Sequence, residues 1–186
     1  MSAARRTALV ATLLTAFVVP PGIASGDSFT PVRLTVEVPP VARLDVPLTV
    51  TVRVSADAGV LDIATAPLRI RVKLAAECGG TFTTTDGVTL LDARLDPQPN
   101  TGRAFAATAR GAGTPTSYGV KTVCTFLEEE GDNRMFANDT ATQVNVSRAC
   151  TRAAARYESA RRGRRKAETK AAFRAALRAC KSTRQL

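Results

Sequence analysis

"LRIRVKL", residues 68–74, decides the fold. Leu68, Ile70, Val72 and Leu74 alternate with Arg69, Arg71 and Lys73. A strand turns successive side chains to opposite faces, so this spelling gives one apolar and one cationic face. Helical spacing would drive the arginines into the core. The same period of two precedes it twice. Residues 32–38 (VRLTVEV) place Val32, Leu34, Val36 and Val38 on one side, and residues 48–55 (LTVTVRVS) do so with Leu48, Val50, Val52 and Val54. Sheets with one buried and one wet face are expected.

Working outward, Asp86-Gly87 within TFTTTDGVTLL predicts a two-residue hairpin turn, because both turn positions need positive φ. PQPNTG (97–102) is a predicted loop, and GAGTPTS and EEEGDN separate strands near Arg103–Ala109, Ser117–Leu127 and Met135–Ser147. Short strands at this spacing, with no helical stretch among them, predict a mainly β domain, an antiparallel β-sandwich of about seven to nine strands.

The ends differ from the middle. Arg5 and Arg6 precede a thirteen-residue apolar run, Thr7 to Val19, which Pro20 and Pro21 break before Ala24, Ser25 and Gly26. This is the pattern of a secretory signal peptide over 1–26. As a helix the run reaches only about 20 Å, against roughly 30 Å of hydrocarbon, so a membrane anchor is the weaker reading. No other segment has the length to cross a bilayer, and a secreted or cell-surface location follows. The net charge of +10 is split between modules. Residues 27–147 hold 11 basic against 14 acidic side chains, whereas 148–186 hold 13 against 2. Cys78, Cys124, Cys150 and Cys180 are an even set in an exported chain, which reads as two disulfides. Four cysteines allow three pairings. Without histidine or a C-x-x-C pair, zinc is not expected.

The span from about residue 29 to 147 resembles immunoglobulin-like domains of bacterial exported proteins. The resemblance rests on the strand pattern and on YGVKTVCTFLEEEGDNRMFANDT (118–140), which is similar to the late hairpin of such a sandwich. Antibody hallmarks are missing: there is no tryptophan, and Thr122 stands where a tyrosine would precede Cys124 by two. The resemblance implies that the strands before Cys78 and around Cys124 lie side by side. A Cys78–Cys124 bridge would then join neighbours within one sheet and contribute about 4 kcal/mol by loop-entropy reasoning.

From residue 148 proline vanishes and Ala, Arg, Lys and Glu predominate, so the tail is predicted helical. One straight helix would part Cys150 and Cys180 by about 45 Å at 1.5 Å per residue. Their pairing requires a reversal near residue 165, and Gly163 suits a helix end needing the left-handed region. Tyr157 lies seven residues after Cys150 and Phe173 seven before Cys180, with Ala153 and Leu177 one turn from the staple. The result is a disulfide-closed hairpin of two helices over 148–186.

The tail carries the candidate polyanion-binding residues Arg152, Arg156, Arg161, Arg162, Arg164, Arg165, Lys166, Lys170, Arg174 and Arg178. Two readings compete. The cations form a stripe for an anionic envelope polymer or membrane surface, or they are a solvated helical face. Nucleic acid is disfavoured, since only two aromatics accompany the charge and both belong to the seam. Glu128, Glu130 and Asp132, with Glu129 and Asn133, are calcium candidates by ligand type, but Gly131-Asp132-Asn133 is ordinary turn chemistry, which is the favoured reading. Asn138 and Asn145 head glycosylation sequons.

Histidine-dependent nucleophile systems are excluded outright, and no phosphate-cradling glycine motif is present. The expectation is a non-catalytic exported binding or adhesion module, with no cofactor, whose tail holds it to anionic envelope polymers. One alternative is a structural or partner-binding domain whose tail packs on the sandwich or on another subunit. The other is an inhibitor or enzyme acting through GAGTPTS or EEEGDN.

Overall fold

The alternating segments pair into two sheets in the computed structural model, which describes residues 32–96, 98–131, 134–163 and 166–181. The proposed signal peptide therefore lies outside the described residues, as do Asp132, Asn133, Arg164 and Arg165. The first sheet has β1 (Val32–Glu37), β3 (Leu48–Ala56) and β6 (Phe105–Gly113), in the order β1-β3-β6. The second runs β2 (Val41–Ala42), β9 (Gln143–Val146), β7 (Gly119–Glu129), β4 (Leu68–Ala75), β5 (Gly87–Arg94), with β8 (Met135–Asp139) also on β7. Pairing is antiparallel except between β2 and β9. Two helices follow, α1 (Arg148–Arg162) and α2 (Lys166–Cys180). Neither sequence nor charge signalled β2.

The quoted stretch is β4, a central strand between β5 and β7. Its apolar set, Leu68, Ile70, Val72 and Leu74, is buried, and so are Leu48, Val50, Val52 and Val54 of β3. Both sheets feed one apolar core, to which β7 adds Val123 and Leu127 and β9 adds Val144 and Val146. Each such valine or leucine contributes about 1.5–3 kcal/mol over leaving it in water. The cationic alternates remain on the outer face. There Arg69 and Arg71 share Asp92 of β5, at 2.8 and 3.3 Å.

Along one side the sheets curl towards each other, giving a domain of half-barrel character rather than two flat layers. Gly111 and Gly113 of β6 make this approach feasible. A Cβ at Gly111 would stand 2.2 Å from the Leu90 carbonyl oxygen, and one at Gly113 2.5 Å from that of Thr89. A register shift between Val72 and Lys73 lets both Leu90 and Leu91 turn into the core.

Asp86-Gly87 does not form the expected hairpin. Gly87 is the first residue of β5, and positive φ is confined among described glycines to Gly59, Gly102, Gly119 and Gly131. Threonine hydroxyls explain the difference, because they compete for backbone groups and favour turns. Thr85 donates to the Thr81 carbonyl at 2.8 Å and accepts from Gly79 N–H at 3.0 Å, so the run upstream curls instead of extending.

That curled segment covers the outer face of β7. Val123 to Glu129 are all buried, although side chains alternate between two faces. The inner side meets the core. The outer side meets Cys78 and Phe82, which pack with Ala75, Cys124 and Phe126 in a second cluster. Cys78 is bonded to Cys124 with Cα atoms 5.6 Å apart, and β4 and β7 are neighbours in one sheet, Lys73 standing opposite Cys124.

Candidate functional site

The candidate site is the helical hairpin, and its root is built from the β domain. Ser147 caps α1, its hydroxyl accepting from Cys150 N–H at 3.2 Å while its own N–H donates to Ala42 at 2.9 Å. Cys150 and Cys180 are joined with Cα atoms 4.6 Å apart, and Val41 of β2 packs on the bridge. One step up the seam, Ala154 and Ala176 are fully buried, while Ala153 and Leu177 are half-buried. Beyond them Tyr157 and Phe173 meet with ring centroids 5.3 Å apart and planes inclined by 51°. Thr169 closes the distal end by donating to the Ala160 carbonyl at 3.1 Å.

Gly163 departs from expectation. It sits at φ −70°, in the right-handed region, and its N–H still bonds Ser159 at 3.0 Å, so it finishes the helix by continuing it. Arg164 and Arg165 between the helices lie outside the described residues.

The hairpin is fastened along its side as well as at its root. Arg43 is only 4% exposed, and its guanidinium reaches Glu158 of α1 at 2.8 Å and Asp45 at 2.7 Å. Hydrogen bonding to Arg43 holds the Asp45 carboxyl below its ordinary range, against the opposing effect of burial. Leu44 N–H donates to Thr151 at 3.3 Å, and Arg148 covers the Tyr118 ring at 5.0 Å. None of this latch was read from sequence. Arg43 sits outside every alternating run, and the one available signal was Glu158, an acid alone in a basic arm.

The cations do not merge into one stripe. At roughly 100° per residue, Arg152 and Arg156 stand about 200° and 240° round α1 from Cys150, on the side away from the seam. Arg174 and Arg178 likewise point outward on α2, so the two rows flank the hairpin. Arg161, Lys166 and Lys170 are different: they gather at the distal half around a groove of about 590 Å3 floored by Tyr157 and Phe173. These three, with Arg152, Arg156, Arg162, Arg174 and Arg178, are all exposed, and among the described residues no ion pair takes any of the eight.

The acidic loop is committed elsewhere. Glu128 is 1% exposed, accepting from Phe82 N–H at 3.0 Å and from Arg71 at 3.1 Å. Glu130 pairs with Arg69 at 2.9 Å. These partners account for two of the three calcium candidates, Asp132 being outside the described residues. No cluster of three or more metal-ligating acids or cysteines occurs among the described residues. Glu129 points the other way, where its Oε1 accepts from the Thr65 hydroxyl and from the Thr65 and Ala66 N–H groups. The Thr65 hydroxyl, aided by those amides, holds its carboxyl below the ordinary range although burial opposes it. Such a group adds stability above the unfolded carboxylate range, and this is lost as pH falls through the lower folded value. Glu129→Gln is therefore expected to lower the urea midpoint at neutral pH, with the gap from wild type closing in acid. An equal gap at every pH would contradict this.

No known protein family, curated protein or solved structure matches the chain. No helix among the described residues is long and apolar enough to cross a membrane.

Proposed function

We propose that the protein is an exported, non-catalytic binding module: an immunoglobulin-like sandwich that carries a cationic helical hairpin to an anionic polymer of the cell envelope. The observation behind this reading is the contrast within the hairpin. Arg43 and the disulfide fix one part of it, while eight exposed cations have no acidic partner among the described residues. Like charges four apart repel by a few tenths of a kcal/mol per pair, a standing cost that an anionic ligand would reverse. The sandwich assignment draws on the core shared by both sheets and on the antiparallel β7–β8 hairpin.

The Arg43–Glu158 latch favours a second role alongside the first, with the tail packing on the sandwich. The readings divide the hairpin between them: its clasp and docked side stabilise, and its exposed cations bind. Raising salt from about 0.1 to about 1 M shortens the Debye length from about 10 to about 3 Å. Protein held on washed cells should be released over that range. Arg174→Glu with Arg178→Glu should reduce retention without altering the thermal midpoint. Retention indifferent to both salt and charge reversal would remove the polymer-binding role.

A further inference from the structure

The groove between Tyr157 and Phe173 contains more than charge. Tyr157 and Phe173 are only half-buried, so the seam ends in aromatic surface that the other described residues leave partly uncovered. Arg161 of α1 and Lys166 and Lys170 of α2 rim it, all three exposed. Lysine and arginine lay their aliphatic stems along apolar surface and lift their charges to the edge. The cavity, about 590 Å3, is within the range of small-molecule sites and combines an apolar floor with a cationic margin.

A purely ionic polymer would engage the margin and leave the rings in water. An occupant that satisfies both needs an anionic head and a hydrocarbon portion in one molecule. We propose that this groove binds an anionic phospholipid at a bilayer surface. The phosphate lies among Arg161, Lys166 and Lys170, and the glycerol and upper acyl carbons cover Tyr157 and Phe173. This deepens the cationic-hairpin reading and rests on it, adding an apolar contact that the polymer reading lacks. The arrangement matches how interfacial elements hold membranes, with basic side chains at headgroup level and aromatic rings just below.

The chain supplies its own probe, because it has two tyrosines and no tryptophan. Tyr118→Phe keeps a ring under Arg148 and leaves Tyr157 as the sole strong fluorophore. This variant is mixed with vesicles of phosphatidylglycerol and phosphatidylcholine in equal parts, the acyl chains brominated near the glycerol. Tyrosine emission is expected to fall by half or more, and phosphatidylcholine alone should leave it unchanged. Lys166→Glu with Lys170→Glu should weaken vesicle binding tenfold or more at an unaltered thermal midpoint. Sedimentation with the anionic vesicles but without quenching would overturn the proposal, showing attachment by charge alone. Retention on washed cells without vesicle binding would overturn it too, while leaving the polymer reading intact. Equal binding by the double lysine variant would place the lipid elsewhere.

Discussion

Replacing both Cys150 and Cys180 with alanine is expected to release the hairpin from its helical state at temperatures where the β domain stays folded. The bridge closes a loop with a sequence separation of 30, worth about 3.7 kcal/mol by loop-entropy reasoning. Against that stands a seam built largely from Ala154, Ala176 and one aromatic pair, too little apolar area to hold two fifteen-residue helices by itself. The loss extends to the root, because Val41 packs on the bridge and would lose its apolar neighbour. Far-ultraviolet circular dichroism should lose helical signal in an early transition, while the sheet melts later. A single transition at the wild-type temperature would show that docking through Arg43 is sufficient.

Phe126→Ala should be the most damaging single substitution in the β domain, at about 3–5 kcal/mol. Phe126 is fully buried on the side of β7 facing away from the main core, where the 76–86 segment is the cover. Phe82 meets it edge-on at 6.5 Å, and Lys73 and Arg71 stand over the Phe82 ring at 4.4 and 5.2 Å. Truncation leaves a cavity that the disulfide keeps from collapsing, since Cys78 cannot move far from Cys124. Urea denaturation measures the loss. A cost near 1 kcal/mol would mean that the segment is a loose flap.

Where a side chain's neighbours are dictated by period, the residues alone were enough. β1, β3 and β4 alternate strictly and are half-buried strands. The tail was legible for a different reason: a mirrored pair of aromatics pointed to arms folded together, on the condition that Cys150 pairs with Cys180, which is the bridge present. What failed was chemistry that depends on distant partners. The threonines before Asp86 look extended by propensity but curl through their hydroxyls, and β2 is two residues long with no period to detect. Gly163 ends α1 in the right-handed region, so the left-handed conformation that glycine's type suggests is not needed there. The docking role of Arg43 was not legible, because its partner on α1, Glu158, is 115 positions away. The distal groove was half visible: the rings and cations were named, but two rows four apart concealed which three converge.

Both ends of the hairpin return to one place. Cys150 opens α1 where β9 hands over the chain, and Cys180 closes α2 against the same point. Tension applied at the distal end is therefore carried by two arms in parallel into a covalent clasp. From the clasp it enters β9, which pairs with the Gly119–Thr122 end of β7, the strand whose Val123–Glu129 run is buried on both faces. A protein tethered by that end would resist shear with its bonded core, and its weak point under pull would be whatever it holds.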